Sequence, residues 1–241
     1  MRKDILSVTF DNLTMEQAVQ KAMDHIHNGE KCRVVTPNAE IGLDCMKNPE
    51  LRELVNSSEL VLPDGIGVIY ASRILKRPIG QKVAGCEFAE NLANRMQNTG
   101  KSLFLFGGKP GVAEQAAKNL QDKYPGLKIA GTLNGYFSDE NEVVAKINEA
   151  EPDALYVCLG CPKQEQFMAR NRDKLNVSLM GGFGGTLDVL SGNAKRAPEI
   201  FIKLGLEWFY RLISDPKRIK RMARLPLYLV YAFTSKDKGE K

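Results

Sequence analysis

The sequence is poor in the residues that most often bind transition metals or form disulfide scaffolds. It has two His, five Cys and one Trp among 241 residues. The odd number of cysteines, and a first segment (residues 1–14) without the apolar core of a signal peptide, predict reduced thiols in a cytoplasm. No Asp-x-Asp motif occurs, although enzymes that bind a nucleotide diphosphate through a divalent cation often present paired acids. We therefore expect no metal and no other cofactor, and expect Arg and Lys to neutralise bound phosphate.

Long apolar runs are also missing. In the C-terminal tail the longest is Leu225 to Phe233, nine residues, whereas a helix needs about 20 to cross a bilayer. With 43% hydrophobic and 26% charged residues and a mean hydropathy of -0.28, the chain is neither disordered nor fibrous in type. It is long enough to fill the core of an ordinary domain.

Charge is distributed unevenly along the chain. The formal net charge is +5, but residues 195–241 carry 12 basic and 5 acidic residues, a net +7, which leaves residues 1–194 at -2. On a helix Lys217, Arg221 and Arg224 share one face, so the tail is predicted to be a basic amphipathic helical segment that lies on a membrane surface. The alternative is a basic, solvated helix without a partner. We place a core at 1–194 and an appendage at 195–241.

The core alternates between short apolar runs and helical patterns. A first helix is predicted to begin after Thr14, which has capping-box spacing to Gln17, and to end at Gly29. The fold class is therefore α/β, with a mainly parallel sheet and helices on both faces. The predicted strands are Cys32–Thr36, Leu60–Leu62, Leu103–Phe106, Leu127–Ala130, Leu155–Leu159 and Val177–Met180, and the further helices are Ile66–Leu75, Glu87–Met96, Val112–Lys123, Glu140–Ala150 and Gln164–Leu175.

Parallel sheets of this kind bind ligands at the carboxyl ends of their strands. Site residues are therefore expected at the junctions from strand to helix. Five junctions are rich in Gly, Pro, Asn or Asp: Thr36–Asn38, Pro63–Gly65, Gly107–Gly111, Gly160–Pro162 and Gly181–Gly185, the last of which leads to Asp188.

Three of these junctions suggest chemistry. Asp64 could be a general base at the rim of a cleft, with Thr36 and Asn38 orienting a hydroxyl group, or it could merely cap the following helix. The Gly107–Gly111 loop could hold a nucleotide phosphate at a helix N-terminus, or it could be a tight turn that needs positive φ. This loop does not fit G-x-G-x-x-G, which disfavours a nicotinamide-dependent enzyme.

The cysteine and histidine patterns suggest structural roles. In Cys158-Leu-Gly-Cys161 the first thiol sits inside an apolar run, so we interpret it as core and not as part of a redox pair. His25 and His27 are two positions apart on a helix and point in different directions, which argues against zinc.

Eight motifs then carry a resemblance to a known family: Thr36–Asn38, Pro63–Gly65, Phe106–Gly111, Gly135–Phe137, Gly160–Glu165, Gly184–Asp188, Lys195–Pro198 and Gly205–Arg211. In their order and spacing the chain resembles the WecG/TagA/CpsF glycosyltransferase family, from about Val34 to Arg224. Two features depart from the family pattern. Lys82 stands where an Arg is usual, and Gly85-Cys-Glu87 replaces Gly-Ser-Asp.

The resemblance implies a Rossmann-like, inverting, metal-independent transferase peripheral to the cytoplasmic face of the cell membrane. Its members move an N-acetylmannosamine-type sugar from UDP to the 4-hydroxyl of N-acetylglucosamine on a polyprenyl diphosphate. In the branch that makes the linkage unit of wall teichoic acid, the donor is UDP-N-acetylmannosamine and the lipid is undecaprenyl diphosphate. The partners implied are this donor, this acceptor and a membrane surface.

On this resemblance we expect Asp64 to be the base, Thr36 and Asn38 to be positioning groups and Gln164 to contact the sugar. The junction glycines would hold UDP, and tail arginines would offset the charge that develops on the leaving diphosphate. The expected substrate-binding residues are Lys82, Gly107, Gly108, Lys109, Tyr136, Gly160, Pro162, Gln164, Gly184, Gly185, Asp188, Arg211, Arg218, Arg221 and Arg224.

Other functions remain open at this point. Another UDP-sugar, for capsule or enterobacterial common antigen, would differ only in a few pocket side chains. A non-catalytic, membrane-bound nucleotide-sugar sensor is an alternative of a different class. A nucleic-acid binder is disfavoured because the core is net negative and contains no recognised module. The apolar, basic tail could also form homo-oligomers without lipid.

Overall fold

A computed structural model describes residues 1–194 and 224–236, together with Pro198, Phe201, Phe209 and Tyr210. The strands are β1 Arg2–Ile5, β2 Val8–Asp11, β3 Cys32–Val35, β4 Leu60–Val61, β5 Ser102–Gly107, β6 Lys128–Leu133, β7 Ala154–Cys158 and β8 Leu179–Gly182. The helices are α1 Met15–Asn28, α2 Ala39–Lys47, α3 Pro49–Asn56, α4 Ile66–Ile74, α5 Gly85–Met96, α6 Val112–Lys123, α7 Glu140–Glu149, α8 Lys163–Arg170, α9 Thr186–Leu190 and α10 Arg224–Lys236.

The main sheet is parallel and has the strand order β4-β3-β8-β7-β5-β6. Since helices cover both of its faces, the predicted α/β class is confirmed. β1 and β2 form a separate antiparallel hairpin that the sequence patterns did not predict. The start of α1 follows its prediction closely: Thr14 and Gln17 form a reciprocal capping box, and Gly29 ends the helix in the left-handed conformation at φ 69°.

Successive side chains of a strand pack into two separate hydrophobic cores, because side chains alternate between the two faces of a sheet. On β5, Leu103 and Leu105 pack into the core that also contains α1, α5, α6 and α9. Phe104 and Phe106 pack into the opposite core, which also contains the hairpin, α2, α3, α4, α7, α8 and α10. The two layers of helices fix the directions in which the chain leaves each strand.

These directions create four switch points at the carboxyl edge of the sheet, between β3 and β8, β8 and β7, β7 and β5, and β5 and β6. The chain leaves β3 toward the second layer and β8, its neighbour, toward the first. The same reversal separates β5, followed by α6, from β7, followed by α8. Crevices open where neighbouring connections diverge in this way, so the fold provides a cleft along this edge.

The C-terminal helix α10 packs on α2 and α4. The Tyr228 ring is fully buried, and a Cβ built on Gly42 would lie 2.7 Å from it. A Cβ built on Gly67 of α4 would lie 2.2 Å from the side chain of Leu225. The predicted lipid segment Leu225–Phe233 is therefore divided: one face of the helix belongs to the core, and only the other is exposed.

No helix among residues 1–194 and 224–236 is long and apolar enough to cross a bilayer. The remainder of the predicted appendage, including most of residues 195–223, lies outside the described residues.

Candidate active site

Thr36, Asn38 and Asp64 lie together where β3 and β4 end. Val35 and Val61 pair in register, and beyond them the backbone N–H of Asp64 donates to the carbonyl of Pro37 at 3.2 Å. Because the two strands are parallel, both junctions emerge at the same edge of the sheet. The structure therefore brings together the three residues that the sequence assigned to one catalytic group.

The carboxylate of Asp64 faces the start of α5. Its Oδ2 accepts a hydrogen bond from the backbone N–H of Gly85 at 3.2 Å. The N-cap of α4, the helix that follows Asp64 in sequence, is Gly65. Asp64 therefore does not cap α4, which was the alternative to a role as general base. Its carboxylate instead contacts the N-terminus of α5. The positive end of that helix stabilises negative charge on Asp64, the form that a general base requires.

Asn38 and Thr36 are partly committed to the fold. The Oδ1 of Asn38 caps α2 by accepting from the N–H groups of Glu40 and Ile41 at 2.9 and 3.0 Å. Its Nδ2 group is the part that could donate to a ligand. The hydroxyl of Thr36 donates to the carbonyl of Gly182 at 3.4 Å, a long hydrogen bond that ties β3 to the end of β8.

Lys82 lies on the loop between α4 and α5, beside the junction that carries Asp64. The next residue, Val83, donates its N–H to the carbonyl of Pro63 at 2.9 Å, which holds this loop against the junction. Lys82 is half-buried. The residue that departs from the family pattern is therefore close in the chain to the contacts around the candidate base.

A second group of predicted residues surrounds the end of β5. Gly107 has φ 135°, and a Cβ there would lie 2.3 Å from the carbonyl oxygen of Cys158, so only glycine fits this approach of β5 to β7. The carbonyl of Gly108 accepts the N–H of Gly135 at 2.8 Å, which brings the β6 junction alongside. Lys109 and Tyr136 are exposed beside this junction, the latter 69%.

The β7 and β8 junctions are linked by Gln164. This side chain is 4% exposed, and its Oε1 accepts the backbone N–H of Gly184 at 2.9 Å. Its Nε2 donates to Oε1 of Glu165 at 3.0 Å. Gln164, predicted to contact a sugar, thus makes its described hydrogen bonds within the protein, and one Nε2 hydrogen remains for a ligand. Gly160 and Pro162 precede it, while Gly185 and Asp188 follow Gly184 at the start of α9.

The thiols near these junctions are in their neutral form. Cys158 is buried in the core, as predicted, and burial raises its pKa to about 12. Burial is also the main cause that raises the pKa of Cys161, which lies beside the carboxyl group of Glu165. A thiolate is the reactive form of cysteine, so the arrangement does not favour redox or nucleophilic chemistry at either residue.

Arg224 is the one predicted tail arginine that lies within the described residues; Arg211, Arg218 and Arg221 lie outside them. Its guanidinium forms an ion pair with Asp44 and a second, at 3.5 Å, with Glu40, both on α2. Hydrogen bonding to Asp44 raises the pKa of Arg224, so the group remains a cation. Arg224 thus joins the start of α10 to α2, the helix that Asn38 caps.

Within residues 1–194 and 224–236, no group of three or more His, Cys, Asp or Glu side chains is arranged to hold a metal ion. Sequence reasoning missed two positions beside the cleft. Gly85 was read only as part of a family motif, although a Cβ there would lie 2.7 Å from Oγ1 of Thr36. Glu165 was not singled out, and its burial beside Gln164 has no signal in the local sequence.

Comparison with known proteins gives a match to the Glycosyl transferase WecG/TagA/CpsF family model over residues 3–241. A protein of Bacillus spizizenii named N-acetylglucosaminyldiphosphoundecaprenol N-acetyl-beta-D-mannosaminyltransferase is 38% identical over 196 residues, 81% of this chain and 76% of the relative. A Bacillus subtilis protein of the same name is 39% identical over 195 residues, with the same coverage. One from Staphylococcus aureus strain MW2, also of that name, is 35% identical over 241 residues, 99% of this chain and 94% of the relative.

Proposed function

Because the chain belongs to the WecG/TagA/CpsF glycosyltransferase family, we propose that it transfers N-acetylmannosamine from UDP-N-acetylmannosamine to undecaprenyl-diphosphate N-acetylglucosamine. The relatives' printed names support both the sugar that is moved and the lipid that receives it. The product would be the linkage unit of wall teichoic acid. The observation that carries the proposal is the convergence of Thr36, Asn38 and Asp64 beside the N-terminus of α5.

The reaction is proposed to be a single in-line displacement with inversion. Asp64 takes the proton from the 4-hydroxyl of the acceptor as its oxygen attacks the anomeric carbon. The bond from that carbon to the β-phosphate oxygen breaks on the opposite face, and UDP leaves with the electron pair. Nδ2 of Asn38 and the hydroxyl of Thr36 orient the acceptor, since they border the same carboxylate.

The donor is proposed to lie along the glycine junctions that follow β5, β7 and β8. Backbone N–H groups near Gly107 and Gly184 and the ammonium of Lys109 bind the diphosphate, and the exposed ring of Tyr136 lies against the nucleoside. Gly160, Pro162, Gly185 and Asp188 border the same groove. One amide hydrogen of Gln164 remains for the sugar.

Charge on the departing diphosphate is proposed to be offset by cations of the protein and not by a bound metal. Lys82, beside the Asp64 junction, and Arg211, Arg218 and Arg221 supply these cations. We assign Arg224 a different task, because its pairs with Glu40 and Asp44 hold α10 on α2. The base thus comes from the core, residues 1–194, whereas the charge stabilisation comes from Lys82 of the core and from the arginines of the appendage, residues 195–241.

The appendage is also proposed to bring the protein to the cytoplasmic face of the membrane as a peripheral protein. Leu227, Val230 and Phe233 are exposed by 40%, 55% and 60% on α10. They recur every three residues on the face opposite Tyr228, and an apolar stripe beside basic residues suits the interface of an anionic bilayer. The lipid-linked acceptor is found at this interface.

A panel of UDP-sugars with a lipid-linked N-acetylglucosamine acceptor, run with and without EDTA, tests the proposal. We expect disaccharide-lipid and UDP to form fastest with UDP-N-acetylmannosamine, a β-linked product from the α-linked donor, and a rate unchanged by EDTA. Preference for another donor would reassign the substrate. Retention of anomeric configuration, or loss of activity on chelation that added Mg²⁺ restores, would overturn the mechanism.

A further inference from the structure

A buried carboxyl lies next to the donor side of the cleft and has no part in the chemistry described so far. Glu165, in the first turn of α8, is 3% exposed. Its Oε1 accepts from Gln164, and its Oε2 is buried without a hydrogen-bond partner among the described residues. Burying a carboxylate without compensation is costly, so its retention at this place calls for a function.

The carboxamide of Gln164 has one end that accepts and one that donates, and its two neighbours require opposite ends. The backbone N–H of Gly184 needs an acceptor and receives Oε1 at 2.9 Å. Glu165 Oε1 accepts from Nε2 at 3.0 Å. Without an acceptor at position 165, Nε2 of Gln164 would lose its hydrogen bond. If the amide group then rotated by half a turn, its NH2 group would face the backbone N–H of Gly184, and two donors would oppose each other.

Packing also restricts the position of the Gln164 carboxamide. A Cβ built on Gly182, the last residue of β8, would lie 3.0 Å from Nε2 of Gln164. The amide therefore lies against the end of β8, and its orientation is set by hydrogen bonding at both ends. Gly182 also accepts from the hydroxyl of Thr36, so this region joins the donor loop to the acceptor side of the cleft.

We propose that Glu165 is a positioning residue for the nucleotide-sugar site: it orients the Gln164 carboxamide and thereby holds the backbone of the Gly184–Gly185 loop. The inference rests on the proposed function, in which that loop binds the donor. Burial raises the pKa of this carboxyl and so favours its neutral form, in which it is expected to act. The carbonyl oxygen accepts from Gln164, and the thiol of Cys161 faces the same group.

Three variants test the role. Glu165→Leu removes the acceptor at similar volume, Glu165→Gln keeps a neutral acceptor, and Gln166→Leu is the control at the next position of α8. We expect the KM for UDP-N-acetylmannosamine to rise roughly tenfold in Glu165→Leu, the effect of one lost buried hydrogen bond, with a smaller change in kcat. The Gln variant and the control stay within about twofold of the wild type. A Gln variant as impaired as the Leu variant would overturn the neutral-acceptor role.

A double-variant cycle separates positioning from general destabilisation. If Glu165 acts through Gln164, adding Glu165→Leu to Gln164→Leu raises the donor KM no further than Gln164→Leu alone. Additive effects on KM, or an unchanged KM in Glu165→Leu, would overturn the proposal. Circular dichroism verifies that each variant folds, and Glu165→Met replaces the Leu variant in the same cycle if that one does not.

The backbone amide resonance of Gly184, followed in 15N-labelled protein without substrate, distinguishes failure of this inference from failure of the proposed function. We expect it to shift in Glu165→Leu and to stay in place in Glu165→Gln and Gln166→Leu. If the resonance behaves so but the wild type transfers no N-acetylmannosamine, the donor assignment is wrong and the orienting role of Glu165 stands. An unmoved Gly184 resonance in folded Glu165→Leu overturns the role even if the wild type is fully active.

Discussion

The carboxylate of Asp64 accepts the backbone N–H of Gly85 at 3.2 Å, so the candidate base is held by the first residue of a helix 21 positions further along the chain. The same glycine leaves no space beside Thr36, whose Oγ1 would lie 2.7 Å from an added Cβ. Asp64, Gly85 and Thr36 therefore form one packed unit. The position of the carboxylate depends on how α5 sits against the end of β3.

Asp64→Asn is expected to lower kcat by about 10²-fold or more, because the amide cannot take the acceptor proton. Asn still offers an oxygen to the N–H of Gly85, so the fold and the donor KM should change little. The measurement is UDP release with lipid acceptor, and Asp173→Asn, at a side chain 93% exposed, is the control. Turnover close to that of the wild type in the Asn variant would remove Asp64 from this role.

Gly85→Ala tests the packed unit without replacing a functional side chain. The new methyl group would press on the Thr36 hydroxyl, and overpacking of this kind typically costs about 1–3 kcal/mol. We expect a lower melting temperature and a fall in kcat of about tenfold as α5 shifts away from Asp64. Gly80→Ala is the matched control, since its Cβ would come no closer than 3.7 Å to Asn12. Equal activity of the two alanine variants would contradict the idea.

Much of the sheet could be predicted because its strands are short apolar runs ended by glycine or proline. The hairpin β1–β2 could not, since partners distant in sequence stabilise it. Nη2 of Arg2 donates to the carbonyls of Ser58 and Glu59 at 2.8 Å each, and the Asn56 side chain bonds to Thr9 and Ser7. No local pattern reveals such contacts. The predicted helix Gln164–Leu175 ends earlier, at Arg170.

The starts of helices α2 and α3 are marked in the sequence by capping residues from which both helices could have been predicted. Asn38 and Asn48 cap them, and Pro49 occupies the first turn of α3, where proline is favoured. Asn38 is predicted to orient a hydroxyl group of a ligand, and its Oδ1 also caps α2. The meeting of Thr36 with Asp64 was predictable from the rule for parallel strands, whereas the burial of Glu165 was not.

Tyr228→Phe is expected to leave the free energy of unfolding unchanged or to raise it by about 1 kcal/mol. The Tyr228 hydroxyl is buried without a hydrogen-bond partner among the described residues, and its removal relieves that desolvation cost. Tyr228→Ala should instead cost about 3–5 kcal/mol, because it empties the contact with Gly42. Urea unfolding measures both, with the exposed Phe233→Ala as control. A strong loss of stability in the Phe variant would show a missed partner for the hydroxyl.

The free energy of unfolding should depend on pH because of the buried carboxyl of Glu165. Burial raises the pKa of Glu165, so the native state keeps a proton that the unfolded chain releases above about pH 4.3. The stability that this proton contributes is present below that pH and is lost as the pH rises toward the native pKa. Glu165→Gln does not titrate, so its stability relative to the wild type should increase with pH, by up to about 1.4 kcal/mol per unit.

The neighbouring groups do not obscure this comparison. Burial holds the pKa of Cys45 at about 12 and raises that of Tyr228, so both stay neutral over the tested range. The titratable groups that interact with the carboxyl are the thiols of Cys161, at the junction before α8, and Cys45 on α2. Asp44 lies near both thiols, Arg224 near Cys161 and Tyr228 near Cys45. Urea unfolding from pH 4.5 to 8 measures the difference, and exposed Glu142→Gln is the control. A difference that does not vary with pH would mean that Glu165 is ionised in the native state.

The exposed face of α10 is expected to bind lipid. Replacing Leu227, Val230 and Phe233 together by serine should weaken binding to vesicles that contain anionic phosphatidylglycerol by at least tenfold, because the apolar area that enters the interface is lost. Folding should be preserved, since all three side chains are exposed while Tyr228 and Ala232 keep the helix on the core. Cosedimentation measures the binding. Phe137→Ser, which alters an aromatic side chain 39% exposed outside α10, is the control.

Raising the salt concentration should weaken the binding of wild type and triple variant alike, because the basic residues remain. If the triple variant binds these vesicles as tightly as the wild type, α10 does not contact the lipid.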